Sequence, residues 1–439
     1  MKIIVRGIVL LVALALWPSL AAAQSAPPVV LFVHGNGDSS ALWHTTIWRF
    51  ESNGWDRARL FAVNLPHPSA RADDTKPQDN RSSTEEQMRR LVATVAEIQA
   101  RVGGERLVLV GSSRGANTIR NFLKNGGGGA RVSHAILCGG VNHGVYADPA
   151  INPNSEFNGA SAFMILLNTP DEVVPNVKYL TIRSDSNDKY AQPDGRFIGR
   201  PGQPTNITYA APELRGATNV VLPRLDHREV CFHRLGFKAM YAFLTGREPA
   251  TLEATPEARP VLNGFVDGYV AGAPTNLGLA GATVEVYEVD PATGRRLGNA
   301  VHRATTGDGG AWGPFTASPT AYYEFVATAP GLPTTHTYRT PFPRSSAHVH
   351  LRLQPLDDKD RGTVRLHRPR GYLGHGRDTF TIDGVTAEGV TEGVPGADRG
   401  VRAIDGPSRA VRVVLNGETL SVLSRPPEDG EVVVAEFHY

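Results

Sequence analysis

One stretch decides the fold: Leu107-Val108-Leu109-Val110-Gly111-Ser112-Ser113-Arg114-Gly115-Ala116-Asn117. Its first four residues are an apolar, β-type run that stops at a Gly-x-Ser-x-Gly box, and a helical pattern follows through Ile119, Phe122 and Leu123. This strand–turn–helix context predicts that Ser113 lies on a sharp, strained turn at the C-terminal edge of a parallel sheet. Gly111 and Gly115 would keep side chains clear of the neighbouring backbone. Because the following helix would direct free N–H groups at an oxyanion formed nearby, Ser113 is the candidate nucleophile.

Apolar runs suited to buried strands alternate with helical patterns on both sides of this stretch. Further strands are predicted at 29–33, 60–64, 132–138, 179–183 and 219–222. A capping box at Ser83–Glu86 begins the helix before the central strand, and a helical run through Phe237 and Leu244 follows the last strand. The alternation predicts an α/β fold with a doubly wound, mostly parallel sheet over residues 27–248.

Length, charge and composition exclude several classes of function. The 439 residues are too many for one typical core, so two or three domains are expected. The formal net charge is +2, and removing Lys2 and Arg6 at the N-terminus leaves 2 − 2 = 0. No basic patch therefore indicates a nucleic-acid partner. The two cysteines have no matching histidine spacing, so no metal site is predicted.

Residues 1–23 have the pattern of a secretory signal. Lys2 and Arg6 form its positive region, Ile8 to Leu16 its apolar region, and Ala21-Ala22-Ala23 its small-residue cleavage site. The apolar stretch is short for a membrane span, and no other segment approaches spanning length. An uncleaved anchor is the alternative. The sequence thus predicts export to the periplasm or the medium, with no transmembrane span.

Export permits disulfide bonds, and the two cysteines are a candidate pair. Cys138 and Cys231 both fall near the predicted active edge of the sheet. A bridge between them would brace the loop that carries His227, four residues before Cys231. Two buried free thiols are the alternative.

An acid and a histidine, both later in the chain than Ser113, complete the residue set that nucleophilic catalysis needs. The strand predicted at 179–183 leads into Ser184-Asp185-Ser186-Asn187-Asp188, which places an acid just beyond a strand's C-terminal end. Asp188 is preferred to Asp185, because the first residues after a strand usually turn the chain and the later position reaches across. His227 follows the last strand on a loop, with His233 as the second choice. The order serine, acid, histidine has spacings of 75 and 39 residues.

The first strand ends in a glycine-bearing turn, His34-Gly35-Asn36-Gly37. An oxyanion hole needs backbone N–H groups aimed at one point. The N–H of Asn36 is the predicted first donor, and the N–H of Arg114 directly after the nucleophile is the second. His34 precedes the nucleophile in the chain, so it is interpreted as bracing its loop rather than acting as the base.

A partly apolar excursion follows the strand predicted at 132–138. His143 lies at the same sheet edge as Ser113 and is interpreted as a pocket or loop residue. Residues 145–170 carry apolar side chains among Asn, Pro and Ser, which suits a small lid or acyl-binding wall. Phe157 and Phe163 are its candidate substrate contacts. An ordinary helix packed on the sheet is the alternative.

With these motifs in place, the sequence resembles the α/β-hydrolase lipases and carboxylesterases. More narrowly, it is similar to secreted lipases that carry a β-rich domain after the hydrolase domain. The resemblance covers most of residues 27–353 and rests on Val33-His34-Gly35, the Gly111–Gly115 box, the Thr181–Asp188 acid loop, the Asp226-His227 loop and the first β-rich stretch described below.

The resemblance implies a mechanism that needs no cofactor. Ser113 would attack an ester carbonyl while His227 takes its proton and Asp188 holds the imidazole. The N–H groups of Asn36 and Arg114 would bind the oxyanion. Family members commonly have His, Tyr or Gln before the nucleophile and Met, Gln or Gly after it. Ser112 and Arg114 depart from that pattern, and Arg114 would place a cation near the pocket.

Helical periodicity ends beyond a linker at 249–260. Alternating strands at 281–289 and 322–327, with glycine turns between them, predict a β-sandwich over 261–353. A second set of strands, including 411–415 and its Asn-Gly turn, predicts another small β-rich domain over 354–439. Three roles are open for these β-rich domains: capture of an insoluble ester, a wall beside the active-site mouth, or stabilisation of the enzyme. The wall is preferred.

Three functions follow from this organisation. The first is a secreted serine hydrolase of carboxylic esters, acting on medium-chain acyl esters, lipids or aliphatic polyesters. The second is an amidase or lactonase, since the same triad cleaves those bonds. The third is an inactive secreted binding protein, which the occupied catalytic positions argue against. Acyl length and oligomeric state do not follow from the sequence.

Overall fold

The computed structural model describes residues 26–439, so the signal segment predicted at 1–23 lies outside the described residues. The α/β region, residues 27–248, is built on a six-stranded sheet in the order β2-β1-β3-β4-β5-β8, with all its pairs parallel. The strands of this region are β1 (Val30–Val33), β2 (Leu60–Val63), β3 (Leu107–Ser112), β4 (Val132–Cys138), β5 (Lys178–Arg183), the short hairpin β6 (Asp194–Gly195) and β7 (Arg200–Pro204), and β8 (Thr218–Val221).

Helices cover both faces of this sheet, as a parallel sheet requires. They are α1 (His44–Ser52), α2 (Thr84–Arg101), α3 (Arg114–Asn125), α4 (Ala162–Asn168), α5 (Glu229–Phe232) and α6 (Arg234–Thr245). One core packs α1, α5 and α6 on the first face, and the other packs α2 and α3 on the second. Ser83 and Glu86 form the predicted capping box of α2. Within residues 26–439, no helix is both long and apolar enough to cross a membrane.

The β region, residues 261–439, contains strands almost throughout. These are β9 (Val261–Leu262), β10 (Val266–Asp267), β11 (Tyr269–Val270), β12 (Ala273–Pro274), β13 (Thr283–Val289), β14 (His302–Thr305), β15 (Phe315–Thr316), β16 (Tyr322–Thr328), β17 (Thr335–Arg339), β18 (Leu351–Arg352), β19 (Thr363–His367), β20 (Phe380–Ile382), β21 (Val385–Thr386), β22 (Arg399–Ala403), β23 (Ala410–Leu415), β24 (Glu418–Leu423) and β25 (Val432–Glu436). The Asn416-Gly417 turn joins β23 to β24, with both residues at positive φ as this tight turn requires.

One seven-stranded sheet runs through the whole β region, in the order β14-β13-β16-β17-β25-β19-β22. Strand β25, near the C-terminus, lies between β17 and β19 and is parallel to both. The sheet therefore contains strands from both predicted β-rich domains, 261–353 and 354–439. Strand β17, before the predicted boundary, is hydrogen-bonded to β25, after it. The division into two domains stays a prediction.

Helix α1 joins the two regions. Phe50 packs in the core of the α/β region, whereas Trp48 belongs to a core of the β region and donates from Nε1 to the carbonyl of Ser345 at 2.9 Å. On the same side, the His44 ring contacts the His438 ring edge-on. The β region is therefore anchored through buried side chains and not only through the linker.

Candidate active site

Ser113 lies on the predicted sharp turn between β3 and α3. Its φ of 53° and ψ of −120° are unusual for a residue with a side chain. A Cβ at Gly115 would lie 2.5 Å from the Val33 carbonyl oxygen, and one at Gly111 would lie 2.8 Å from the Gly115 carbonyl oxygen. The two glycines of the box are therefore needed for close backbone packing, which turns the Ser113 side chain toward a cavity at the sheet edge.

His227 and Asp188 meet at the same edge. The Nδ1 atom of His227 is 2.9 Å from the Asp188 carboxylate, and both side chains are buried. The Nε2 atom of His227 has no hydrogen-bond partner among the described residues, and the ring lines the cavity that Ser113 also lines. No hydrogen bond joins Ser113 to His227, which is common for such pairs without substrate. The ring therefore has its acid behind it and a free nitrogen for proton transfer.

Asp185 has a different task. Its carboxylate accepts from the backbone N–H of Arg224 at 3.0 Å and from that of Asn187 at 3.2 Å. Burial favours the neutral acid, but these hydrogen bonds hold the pKa of Asp185 below its usual value. Asp188, rather than Asp185, is the acid against the His227 ring.

Gly139, directly after β4, lets the His227 loop approach the sheet. Its φ is +52°, and a Cβ there would lie 2.6 Å from the His227 carbonyl oxygen. A side chain at this position would push the imidazole away from the nucleophile.

The two predicted oxyanion donors both lie close to Ser113: Asn36 lines the same cavity, and Arg114 follows Ser113 in the chain. Asn36 lines the cavity, and its side-chain oxygen accepts from the Ala70 N–H at 2.7 Å, which holds the turn after β1. Its backbone N–H makes no backbone hydrogen bond within the described residues. The N–H of Arg114 opens α3 and has no acceptor within that helix. Both main-chain donors are thus available for an oxyanion.

The Arg114 side chain does not place a cation at the pocket, contrary to the expectation from the sequence. It turns away and is buried in an ion pair with Glu156, with a shortest N–O distance of 2.5 Å. Its guanidinium also donates to the carbonyl of Ser82 at 2.7 Å and to that of Pro68 at 3.0 Å. Arg114 therefore ties α3 to the loops beside it, because a buried guanidinium needs its donors paired.

His34 braces its loop, as its chain position suggests. Its ring is buried, and its Nε2 accepts from the Leu65 N–H at 3.0 Å. Burial lowers the pKa of His34 to about 4, so the ring is neutral at physiological pH. The Asn276 amide, from the β region, reaches the same Nε2 at 3.3 Å.

The cavity beside Ser113 has a volume of about 130 Å³, and apolar or aromatic side chains form about half of its lining, with polar side chains forming the rest. The apolar and aromatic side chains are Val141, Val145, Phe157, Tyr190, Phe197, Ile198 and Tyr372. Of the predicted pocket residues, only Phe157 is among them. Phe197 and Ile198 come from the segment between β6 and β7, and Tyr372 comes from the β region.

His143 and Phe163 do not line the cavity. The His143 ring donates toward the Ala211 carbonyl at 2.7 Å and lies 3.3 Å from Glu172, so it fixes a loop. Phe163 lies half-buried on α4, whose buried face consists of Met164 and Leu167. His143 therefore has the loop role that was left open for it, and Phe163 lies on a short packed helix, which was the alternative to a lid.

The two cysteines lie side by side as free thiols. Both are fully buried in one core, and the Cys138 thiol contacts that of Cys231. Burial, with the neighbouring thiol, raises the pKa of Cys138. Of the two alternatives for these cysteines, a disulfide or two buried free thiols, the structure has the free thiols.

The residues beside His227 are held by the β region. Asp226, fully buried, accepts from the Tyr372 N–H at 2.6 Å and from Arg377 at 3.1 Å. Glu229 accepts from Arg368 at 2.5 Å and from Arg377 at 2.8 Å. We call these five residues the clasp, since they join the histidine loop to the turn after β19.

Arg228 extends this contact on the other side of His227. Its guanidinium donates to the Pro369 carbonyl at 2.9 Å and to Asp398 at 3.0 Å, both in the β region. It also pairs with Asp38 at 2.8 Å, in the turn that carries Asn36. Arg228 thus ties the loop of the candidate base directly to the candidate oxyanion turn, and ties both to the β region.

Reasoning from the sequence missed Tyr190, Phe197, Tyr372 and the clasp. Arg228 and Asp226 flank His227 in the chain, so their charge next to a candidate base was an available signal. Tyr372 lies 145 positions beyond His227 in the sequence, and no local pattern marks it as a pocket residue.

The parallel sheet with Ser113 at its strained turn defines the α/β-hydrolase class, and family comparison agrees. Residues 28–192 match the family model for the alpha/beta hydrolase fold, and residues 264–356 match that for the lipase C-terminal domain. The chain belongs to the α/β-hydrolase superfamily, in the lipase and esterase group that carries a C-terminal domain.

Three solved structures of lipolytic enzymes are similar to this chain at low sequence identity. Bacillus licheniformis lipase BlEst2 in its mature form is 21% identical, over 51% of this chain and 94% of that one, with a TM-score of 0.37. Legionella pneumophila phospholipase PlaB is 12% identical, over 74% and 93%, with a TM-score of 0.35. Bacillus subtilis carboxylesterase CesB is 15% identical, over 51% and 86%, with a TM-score of 0.30. The family models carry the assignment.

Proposed function

We propose that the protein is a secreted serine hydrolase of carboxylic esters, with Ser113, His227 and Asp188 as its catalytic triad. One observation carries the proposal: the buried His227 ring has Asp188 at Nδ1 and an unpartnered Nε2, and it lines the same cavity as Ser113. A buried polar nitrogen without a partner is costly unless a ligand or a reaction uses it.

The chemistry follows from these positions. Ser113 attacks the ester carbonyl as His227 takes the hydroxyl proton at Nε2, and Asp188 stabilises the imidazolium through Nδ1. The N–H groups of Asn36 and Arg114 bind the oxyanion, each contributing about 3 kcal/mol of barrier lowering. His227 then protonates the leaving alkoxide, and water activated by the same ring releases the acid from the acyl-enzyme.

The cavity favours an acyl group of modest size. An apolar cavity of about 150 Å³ holds a benzene molecule, and this one encloses about 130 Å³ with aromatic and aliphatic walls. An acyl chain of about six carbons therefore fits without rearrangement. We propose short to medium acyl esters, including aliphatic polyester ends, as the substrate class.

Turnover of p-nitrophenyl esters from acetate to palmitate tests the proposal. Wild type should hydrolyse the series with an optimum near hexanoate, and Ser113→Ala should reduce turnover to the background rate. Ser318→Ala is the matched control, since Ser318 lies in the β region outside the cavity lining and its loss should leave the activity unchanged. A fluorophosphonate should add one mass increment to wild type and none to Ser113→Ala. Equal rates for wild type and Ser113→Ala would remove the enzyme function.

Export is the remaining part of the proposal and rests on the pattern in residues 1–23. Expression of the full chain in a bacterial host should give a shorter mature protein outside the cytoplasm. N-terminal sequencing should find Gln24 or a nearby residue first. An intact Met1 on protein retained in the cytoplasm would contradict export.

A further inference from the structure

A second cavity lies between the α/β region and the β region. It encloses about 190 Å³ and is separate from the apolar cavity, although Asp38 and Arg228 line both. Its floor comes from the turn after β1, and its walls come from β17, β19, β25 and the segments that flank them. Strands from the far C-terminus and the oxyanion turn therefore enclose one chamber.

The walls of this chamber are unusually cationic. Six arginines line it against four carboxylates, so positive groups exceed negative ones by two. The arginines are Arg228, Arg339, Arg352, Arg365, Arg370 and Arg399. The protein as a whole has a net charge of only +2, so this excess is a local feature.

The four carboxylates already have close arginine partners. Asp267 pairs with Arg352 at 2.8 Å, and Glu436 pairs with Arg339 at 2.8 Å. Asp38 and Asp398 both pair with Arg228, as described above. Of the other three lining arginines, Arg365 pairs at 3.2 Å with Asp360, which does not line the chamber, and Arg399 lies 3.8 Å from Asp398. Arg370 has no carboxylate partner among the described residues.

Arg370 is the deepest of the three. Its guanidinium is buried and donates to the main-chain carbonyls of Leu42 and Ala41, at 3.0 and 2.7 Å. No carboxylate lies within ion-pair distance of it among the described residues. Burial lowers the pKa of Arg370 to about 9, which reflects the cost of an uncompensated buried cation.

Arg365 and Arg399 converge on one weak acceptor. Both reach the side-chain oxygen of Gln354, each at 3.4 Å, which is long for a charged donor. Arg365 is largely buried and Arg399 is half-exposed, so Gln354 lies where the chamber opens. The other terminal nitrogen of Arg365 pairs with Asp360, so the guanidinium donors that face the neutral Gln354 oxygen are the ones that an oxyanion would engage.

We propose that this chamber binds a small oxyanion with at least two negative charges, held at its mouth by Arg365 and Arg399. A di- or tricarboxylate and a phosphate share the required chemistry, namely several oxygens that accept from guanidinium forks. The volume admits an anion the size of citrate, and the field of Arg370 extends the attraction inward. The site is independent of the proposed ester hydrolysis.

Calorimetric titration of the full chain with citrate, succinate, phosphate and sulfate tests the proposal, with sodium chloride at matched ionic strength as the reference. We expect saturable binding of at least one multivalent anion and a rise in Tm that chloride does not reproduce. Citrate in preference to phosphate would identify a polycarboxylate site, and the reverse would identify a phosphate site.

Variants separate this site from general salt effects. Arg399→Gln should weaken binding about tenfold, as expected for loss of one charge-assisted contact, and Arg399→Lys should weaken it less. Arg303→Gln is the matched control, because Arg303 is an exposed arginine paired with Glu285 elsewhere in the β region. Arg365→Gln is the stronger test if it folds. Absence of saturable binding, or equal binding by Arg399→Gln and wild type, would overturn the proposal.

Discussion

Asp188 and Asp185 lie three positions apart, yet only one faces the candidate base. Asp188 lies against the His227 ring, whereas Asp185 accepts from the backbone of the next turn. An acid behind the imidazole fixes its tautomer and stabilises its charge during proton transfer. The two aspartates thus offer a matched pair for testing the triad.

We expect Asp188→Asn to lower kcat by about 10³- to 10⁴-fold, because an amide favours the wrong tautomer of His227. Asp185→Asn should change kcat less than about tenfold and act mainly on stability, through the weaker hydrogen bonds to the Arg224 turn. Initial rates with p-nitrophenyl butyrate, together with urea unfolding of both variants, measure the difference. The opposite ranking of the two kcat values would assign the acid to Asp185.

At this scale the sequence was informative wherever chemistry follows local backbone geometry. The Gly-x-Ser-x-Gly box predicted the strained turn, and Ser113 has the positive φ that such a turn requires. The sequence left the roles of His143 and Phe163 open, because a loop or a short helix can present either face and nothing local decides which one. Arg114 turned inward because Glu156, distant in sequence, supplies its counter-charge.

The histidine loop is an element whose geometry depends on another part of the chain. Arg377 bonds both Asp226 and Glu229, and Arg368 bonds Glu229 again, all in buried surroundings. Burial, and then the charge of Asp226, raises the pKa of Glu229 to about 7. The two arginines of the clasp therefore compensate the charge of its two buried acids, and removing one arginine should leave a carboxylate uncompensated.

We expect Arg377→Gln to lower kcat by about 10- to 100-fold with a smaller change in KM, because the His227 ring loses its fixed position. Adding Glu229→Gln should recover part of the lost kcat, since Asp226 and Glu229 would otherwise share the charge of Arg368 alone. The matched control is Arg409→Gln, which breaks an exposed pair with Asp383 in the same region. An unchanged kcat in a folded Arg377→Gln protein would show that the clasp does not position the ring.

Tyr372 is the part of the same turn that reaches the cavity. Its ring is buried, with Lys189 over one face at 3.9 Å and Arg228 at 5.0 Å from the centroid. Tyr372→Ala should enlarge the cavity and move the acyl-length optimum toward longer esters, whereas Tyr372→Phe should retain the wild-type optimum. Rates across the p-nitrophenyl ester series measure the shift. An unchanged optimum in a folded Tyr372→Ala variant would exclude Tyr372 from the acyl wall.

In the β region the sequence predicted individual strands but not how distant strands pair. Strands β13, β16, β23 and β24 follow the predicted alternation, because strand patterns are local. Strand β25 pairs with β17 and with β19, and the paired residues are about 70 to 100 positions apart in the chain. The hydrophobic periodicity of each strand does not indicate which distant strand it pairs with. Point variants are therefore better tests of the β region than truncation after residue 353, which would expose the edge of β17.

The contact between the two regions contains buried neutral histidines. His34, His44, His350 and His438 are each less than 10% exposed. Burial lowers their pKa values: to about 4 for His34, to about 3 for His438, and well below the usual value for His44 and His350. In the unfolded chain these rings bind protons near pH 6.5, so the unfolded state takes up more protons than the folded state below that pH.

Stability should therefore be complete above about pH 6.5 and fall as the pH drops toward 4. Each such histidine costs about 1 kcal/mol at pH 5.5, and four together are a large part of the stability of a typical domain. Urea unfolding from pH 8 to pH 5 should show this steep loss. His438→Gln should reduce the loss between pH 8 and pH 5.5 by about 1 kcal/mol, with His302→Gln as the control. A flat free energy of unfolding across this range would mean that the histidines protonate without opening the contact between the regions.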